Sequence, residues 1–347
     1  MRGPLKLLLL LAAFVGVPTA LYWLSPDADA LAPARDALAR RDFPTARREL
    51  DAFLAAHPDH RDALFLAART ARRADDGDAA EQFLKRFEKA GGPAADATLE
   101  RDLRETQAGR VGNAAPMMRL CAEQPADPGV PFVLEAFARG LLAVNNPPLA
   151  IACLDQWLGL DLPPGDRAQG FVWRADALSR QGLAPEAAAD YRRALAIAPG
   201  HGVARFRLAE FLTRDEPSEA LPLYQGLNRD DPDRRDVWLG LARCHRQLGE
   251  LDAAAAWIGK LGPEATDDVP VLVEAGALAL DRGRPTDAEP LLRKAVRLAP
   301  ARRDPNVQLL RCLEDLGDAS AVRAQREQLQ KIDDEIQRRI DAAKGKP

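Results

Sequence analysis

Apolar residues recur along most of this chain at spacings of three and four residues, the period of an amphipathic α-helix. Short breaks that carry glycine or proline separate the apolar segments from one another. Only six isoleucines and eight threonines occur in 347 residues, which argues against a large β-sandwich or barrel. The pattern therefore predicts an all-α protein built from many short helices.

Two of the helical segments repeat one another in detail. Each has a glycine, then alanine five residues later, a bulky residue after nine, alanine after twelve and proline after seventeen. The matching residues are Gly182, Ala187, Tyr191, Ala194 and Pro199 in the first segment, and Gly283, Ala288, Leu292, Ala295 and Pro300 in the second. A recurrence of this length predicts a stack of similar units, not separate globular domains.

The spacing resembles the tetratricopeptide repeat (TPR), a 34-residue helix-turn-helix unit with the pattern W-x2-L-G-x2-Y, A-x3-F and P. Trp238, Leu241 and Gly249 supply the first half of that pattern in the intervening segment. The resemblance implies a right-handed α-solenoid of about eight to nine repeats. It also implies that the first helices line a concave surface that binds peptides or protein segments.

The repeat register extends over nearly the whole chain. It places repeats one to three in residues 27–126, with a degenerate third repeat, and repeats four to eight with the start of a ninth in 127–318. The repeats begin at about 27, 61, 94, 129, 168, 202, 235, 269 and 303. Residues 319–347 form a final helix and tail, whose apolar stripe (Val322, Leu329, Ile332, Ile336, Ile340) either caps the solenoid or supports self-association through residues 319–343.

The first 26 residues differ from the rest. Arg2 and Lys6 precede an uncharged apolar run of 18 residues, Leu7–Leu24, which is long enough to cross a bilayer as a helix. We expect residues 1–26 to form a signal anchor that contacts the membrane through residues 7–24. The protein would then be single-pass, with its repeats outside the cytoplasm. The alternatives are a signal cleaved near Ala28–Ala30, which would give a secreted or periplasmic protein, and a helix buried in a cytosolic protein.

Composition removes several classes of function. A net charge of -4, from 48 basic and 52 acidic residues, argues against a general nucleic-acid binder. Four dispersed cysteines and one H-x2-H pair, His57 and His60, make no strong zinc motif. No phosphate-binding loop, G-x-S-x-G or H-E-x-x-H motif occurs, and the repeats leave no room for a catalytic domain. We therefore predict no enzymatic activity, cofactor, metal or small-molecule substrate.

Positions 2, 5, 9 and 12 of each repeat are the ones that the resemblance turns toward the concave surface. The candidate binding residues at these positions are Arg35, Arg69, Arg72, Phe137, Val172, Asp176, Phe206, Glu210, Arg243 and Arg246. Asp102, Glu105, Val133, Val273 and Arg311 also occupy inward positions. Phe137 and Phe206 are the expected anchors of a bound segment. Alternatively, these rings pack against their own neighbours and the charges only solvate a face.

One helix carries three arginines, Arg69, Arg72 and Arg73, at spacings that share a face. Such a cluster is suited to a carboxylate or a phosphate. The whole pattern predicts a non-catalytic scaffold that binds protein segments in the assembly of an envelope complex. A structural subunit of a larger envelope machine and a regulatory module of a membrane enzyme are the alternatives.

Overall fold

A computed structural model describes residues 30–110, 114–262 and 267–344. These residues form eighteen α-helices, and the predicted membrane-spanning run Leu7–Leu24 lies outside them. Among the described residues, no helix combines the length and the apolar character that a bilayer crossing requires. The described helices fall into two compact units that meet after His201 in the sequence, between the predicted fifth and sixth repeats.

Unit 1 contains ten helices, which pair in sequence as helical hairpins in all repeats but the third. The helices are α1 (Ala32–Ala39), α2 (Phe43–Ala56), α3 (Arg61–Arg73), α4 (Gly77–Lys89), α5 (Ala94–Gln107), α6 (Ala114–Glu123), α7 (Val130–Ala143), α8 (Pro147–Leu158), α9 (Pro164–Arg180) and α10 (Ala184–Ile197). Odd-numbered helices are the first helices of their repeats, and even-numbered helices are the second.

Unit 2 continues the same alternation through eight helices. They are α11 (Gly202–Leu212), α12 (Pro217–Asp230), α13 (Arg235–Gln247), α14 (Leu251–Lys260), α15 (Val269–Asp281), α16 (Pro285–Leu298), α17 (Arg303–Leu316) and α18 (Ala319–Lys344). The first helices α11, α13, α15 and α17 each contact the next one in order.

Small residues hold the two helices of each hairpin together. The alanine that the register places early in the second helix is almost fully buried in seven repeats, at Ala46, Ala80, Ala150, Ala187, Ala220, Ala254 and Ala288. A side chain of one carbon lets the two helix backbones approach closely, and the larger Leu50, Leu84 and Leu292 fill the space beside it. The hairpin packing therefore follows the repeat register.

The turns inside the hairpins need a residue in the left-handed backbone region. Glycine meets this need at Gly182 (φ +77°) and Gly283 (φ +67°), as the register predicts. Arg41, Asp75 and Asn145 take the same role in the first, second and fourth repeats, with φ between 54° and 64°. Arg41 is the least suited of these to a left-handed backbone, and its side chain belongs to the ion cluster described below.

The third repeat departs from the hairpin arrangement. Here α5 packs directly against α7, the first helix of the next repeat, and α6 also contacts α7. Gly140 of α7 makes the close approach possible, because a Cβ at this position would lie 2.0 Å from the carbonyl oxygen of Thr106 in α5. The weak repeat pattern of this region thus coincides with a different helix packing.

Unit 1 also closes on itself. The start of α9 contacts α1, four repeats earlier, where a Cβ on Gly165 would lie 2.7 Å from the carbonyl oxygen of Ala39. The first helices of unit 1 therefore meet one another instead of lining an open groove.

The final helix covers the end of unit 2 over its first half. Leu329 and Ile332 are buried, and the Gln325 amide donates hydrogen bonds to the backbone and side-chain oxygens of Asn306 in α17. Ile336, one turn further on, is 40 % exposed. Self-association through residues 319–343 stays a prediction.

Candidate protein-binding surface

Four charged side chains meet where the first helices of unit 1 converge, and we call them the central ion cluster: Arg41, Arg73, Glu135 and Asp166. Arg41 Nη1 lies 2.9 Å from Glu135 Oε1 and 2.8 Å from Asp166 Oδ1. Arg73 Nε lies 2.9 Å from Glu135 Oε2, and the same guanidinium bonds Asp166. Two arginines face two carboxylates, so the buried cluster is neutral as a whole.

Glu100 of α5 organises a second buried group beside this cluster. Arg69 Nε and Arg72 Nε each donate to one of its carboxylate oxygens at 2.7 Å, and Arg72 also contacts the Gln107 side chain. The Arg69 guanidinium lies over the ring of Phe132 at 4.0 Å from its centroid. The arginine face of α3 is thus occupied by carboxylates of the chain itself.

The predicted binding residues of unit 1 are buried to different degrees. Phe137 and Val172 lie in the core, and Arg72 is buried against Glu100. Arg35 is half-buried on α1, and Asp176 accepts a hydrogen bond from the Tyr191 hydroxyl. The structure brings Arg69 and Arg72 together but places neither of them beside Asp176. A binding role for these residues stays a prediction.

The neighbouring arginines control the ionisation of the buried acids. Burial by itself would raise the pKa of Glu135, but Arg73 and Arg41 more than offset it and lower the pKa to about 2. Glu100 is governed in the same way: burial acts to raise its pKa, and Arg72 and Arg69 bring it down to about 2. Both acids are therefore ionised in the folded protein at neutral pH.

This arrangement predicts an acid-sensitive unit 1. A carboxyl whose pKa falls on folding contributes stability above its unfolded-state pKa, here about 4.5, and loses it as the pH falls toward 2. We expect the urea midpoint followed by circular dichroism to fall steeply between pH 4.5 and 2.5. Glu100→Gln, less stable at pH 7, should show a shallower fall, and an equal slope would contradict this assignment.

Unit 2 carries a second line of charge, which we call the arginine ladder: Arg243, Arg246, Glu274, Asp281 and Arg311. Arg246 bridges Glu274 at 2.5 Å and Asp281 at 2.8 Å, and Arg311 contacts Asp281 at 2.8 Å. Arg243 lies 3.6 Å from Glu274. The ladder crosses three consecutive first helices, α13, α15 and α17, with one positive charge in excess.

Exposure separates the ladder from the buried ions of unit 1. The side chains of Arg243 and Arg311 are 38 % and 45 % exposed, whereas Glu274 is buried. Carboxylates of the chain therefore hold the buried end of the ladder, and the side chains of Arg243 and Arg311 stay partly open to solvent.

A row of apolar side chains accompanies the ladder. Its members occupy the fifth position of four consecutive repeats and are all half-buried: Phe206, Leu239, Val273 and Val307. Phe206 makes an edge contact with the ring of Tyr224, at 6.0 Å between centroids, and Glu210 pairs with Arg207. Of the predicted residues, unit 2 thus keeps Arg243 and Arg246 together on one ladder, and Phe206 and Glu210 on α11.

Several residues that shape these sites were not predicted from the register. Glu100 and Glu135 occupy the seventh position of their repeats, where the TPR pattern has leucine. A carboxylate at a core position signals a buried partner, and this signal was available in the sequence. Glu274 and Asp281 lie at positions 6 and 13 of their repeat, each one residue after an inward position.

Family models match repeats in both units. One tetratricopeptide repeat model matches residues 211–275, and another matches residues 31–96 and 135–201, together more than half of the chain. The chain belongs to the tetratricopeptide repeat family. Residues 97–134 separate the two matches of the second model, and they contain most of α5 and all of α6.

Solved TPR structures resemble parts of the chain at low identity. The type IV pilus biogenesis factor PilW is 19% identical with a TM-score of 0.48, covering 58% of this chain and 93% of its own. YrrB, a TPR protein described as having an unusual peptide-binding site, is 20% identical with a TM-score of 0.45, covering 55% and 95%. A TPR protein from Parabacteroides merdae is 15% identical with a TM-score of 0.48, covering 78% and 98%. No curated protein matches the chain.

The described residues offer little reactive chemistry. No group of three or more histidine, cysteine or acidic side chains within them is arranged to hold a metal ion. The four cysteines are free thiols, and burial raises the pKa of Cys153 to about 12, which keeps it protonated. His60 accepts the backbone N–H of Ala63 and so caps α3.

Proposed function

We propose that this TPR protein is a non-catalytic scaffold that holds an acidic, partly apolar segment of a protein partner on the arginine ladder of unit 2. TPR domains bind protein or peptide partners, and their repeats are generally non-catalytic. The observation that carries the proposal is the pair of partly exposed arginine side chains, Arg243 and Arg311, on helices that also present the apolar row.

The chemistry of the ladder favours carboxylates. Guanidinium groups bind carboxylates in a bidentate geometry, and Arg243 is only loosely paired with Glu274 at 3.6 Å. Half-buried Leu239 and Val273 can lose their remaining exposure when an apolar side chain covers them. A segment that alternates apolar and acidic residues would use both features.

Unit 1 has a different part in this proposal. Its buried arginines are paired with Glu100, Glu135 and Asp166 within the protein, which fixes the first helices against one another. The first helices of unit 1 are therefore held together by internal ion pairs, and unit 2 supplies the surface for the acidic segment.

An envelope role rests on the predicted anchor. If Leu7–Leu24 crosses a membrane, it holds the repeats near other membrane components and raises their effective concentration. Assembly of an envelope complex is the function we propose for this arrangement. A structural subunit and a regulatory module of a membrane enzyme are the alternatives, and membrane fractionation of the chain with and without residues 1–26 tests the location that all three assume.

We expect the double substitution Arg243→Glu and Arg311→Glu to abolish partner capture. A photo-crosslinker at Leu239, used in intact cells, should yield a defined partner identified by mass spectrometry. Charge-assisted contacts are worth about 1.5–3 kcal/mol each, so the crosslinked yield should fall at least about tenfold in the double variant. The thermal stability of unit 2 serves as the check on folding.

Arg297→Glu is the matched control for this experiment. Arg297 is exposed on the second helix α16, away from the ladder, and its reversal changes the net charge by the same amount per substitution. Its crosslinked yield should equal that of the unchanged protein. A partner that survives the double substitution, or is lost equally with Arg297→Glu, would remove the ladder as the binding site.

A further inference from the structure

A cavity of about 490 Å³ opens between α2, α3 and α4 of unit 1. Apolar residues form most of its lining, and a few charged groups contribute the rest. The lining residues are Phe43, Pro44, Arg47, Leu50, Asp51, Ala67, Thr70, Ala71, Ala74, Asp76 and Phe83. None of these belongs to the central ion cluster or to the arginine ladder.

The cavity exists because α3 presents small residues between two second helices. Ala67, Ala71 and Ala74 follow one another at four and three residues, so they share a face of α3 and its C-terminal end. The Thr70 hydroxyl donates to the carbonyl oxygen of Leu66 at 2.7 Å, which uses its hydrogen-bonding capacity inside the helix. The floor of the cavity is therefore mainly apolar.

Aromatic and aliphatic side chains form the walls. Phe43 comes from the start of α2 and Phe83 from the middle of α4, and both are only half-buried. Leu50 is fully buried at the side of α2. A volume of this size is within the range of ligand sites, and it exceeds what a packing defect inside a core provides.

Three charged side chains line the mouth. Arg47 Nη1 lies 2.6 Å from Asp76 Oδ2, and Arg47 Nε lies 3.8 Å from Asp51 Oδ2. One arginine between two carboxylates leaves a net charge of one negative unit. Asp76 accepts the backbone N–H of Ala79 at the start of α4; this bond and then Arg47 lower its pKa, so the carboxylate persists at neutral pH.

We propose that this cavity binds a basic peptide segment, with one or two apolar side chains inside it and an adjacent lysine or arginine paired with Asp51 and Asp76. The lining supplies the apolar contact, and the negative mouth selects the sign of the flanking charge. The ladder of unit 2 has the opposite charge preference, so the two surfaces take different segments. The cavity proposal is therefore independent of the proposed function.

Two fluorescein-labelled dodecapeptides test it on the full chain by fluorescence anisotropy. Both carry two leucines four residues apart on an alanine and serine background. One has two arginines between the leucines, and the other has two glutamates in their place. We expect the arginine peptide to bind saturably, and at least about tenfold more tightly than the glutamate peptide.

Two surface substitutions place the binding in the cavity. Ala74 is exposed at the end of α3, so Ala74→Trp fills the mouth without disturbing the core and should weaken the arginine peptide at least about tenfold. Asp51→Arg turns the mouth from one negative to one positive charge and should reverse the preference between the peptides. Asp59→Arg, exposed and outside the lining, is the control and should change neither.

Each remaining outcome overturns the proposal. Equal effects of Asp51→Arg and Asp59→Arg would mean that the peptide responds only to net charge. Binding unaffected by Ala74→Trp would place the site elsewhere. Self-association of the chain that Ala74→Trp abolishes, without binding of the arginine peptide, would assign the cavity to a second copy of the protein.

Discussion

Replacing Glu135 with alanine is expected to lower the free energy of unfolding of unit 1 by about 3–5 kcal/mol. The side chain is 1 % exposed. It accepts a hydrogen bond from Arg41 and forms an ion pair with Arg73, and the two arginines come from two other repeats. Removing the carboxylate leaves two buried guanidinium groups with Asp166 as their only partner in the cluster. The cost comes mainly from this uncompensated positive charge.

Hydrogen exchange followed by mass spectrometry reads this effect separately in the two units. Peptides from α1, α3, α7 and α9 should lose protection from exchange together, because the ion pairs of the central ion cluster connect these four segments. Peptides from unit 2 should keep theirs. Glu327→Ala, an exposed mid-helix substitution in α18, is the control and should change stability by less than about 0.5 kcal/mol.

The conservative variant Glu135→Gln separates charge from shape. Glutamine retains an oxygen that accepts a hydrogen bond, but it cannot neutralise Arg41 or Arg73. We expect a loss of stability close to that of Glu135→Ala. Full stability in Glu135→Gln would mean that packing, and not charge, is the role of Glu135.

The second large effect is expected at Gly140, where α7 crosses α5. A Cβ would lie 2.0 Å from the Thr106 carbonyl oxygen, a backbone atom that cannot rotate away. Alanine favours a helix over glycine by about 1 kcal/mol, but overpacking costs about 1–3 kcal/mol or more. At so short a distance the clash dominates, and we expect Gly140→Ala to destabilise unit 1 by about 2 kcal/mol or more in urea unfolding.

We expect Gly259→Ala to have the opposite effect on stability, which tests whether the clash is the cause of the loss at Gly140. Gly259 is exposed near the end of α14, and a Cβ there has no atom within 4 Å. This substitution should be neutral or stabilise the protein by up to about 1 kcal/mol. If Gly140→Ala were as harmless as Gly259→Ala, the direct contact between α5 and α7 would be wrong.

Much of the fold could be predicted from local spacing. The alanines Ala187 and Ala288 are buried between helices, and Gly182 and Gly283 adopt the left-handed turn, as the repeat register predicts. These features depend on residues within one repeat, so one sequence contains all the information needed. The repeat spacing likewise predicts an all-helical TPR protein, and this prediction is confirmed.

The candidate site depends on contacts between repeats, which local spacing does not specify. The register places Arg69 and Arg243 at equivalent inward positions, yet Arg69 is 20 % exposed and bonded to Glu100, whereas Arg243 is 38 % exposed. Equivalent positions differ because the surroundings of a first helix depend on how tightly the repeats curve. Cavity formation beside Ala71 likewise depends on the spacing of α2 and α4, which no repeat pattern specifies.

The sequence by itself determined the helices, their pairing outside the third repeat and the family, because a packing period of 3.6 residues and a turn glycine act over short distances. Only the tertiary structure decided which charges are buried and which surface is open. Arg41 meets Glu135 across 94 residues and Asp166 across 125. Small rotations between successive repeats accumulate over that separation and close unit 1 on itself, so Arg41 and Arg73 are buried with their carboxylates. Arg243 and Arg311 of unit 2 stay partly exposed.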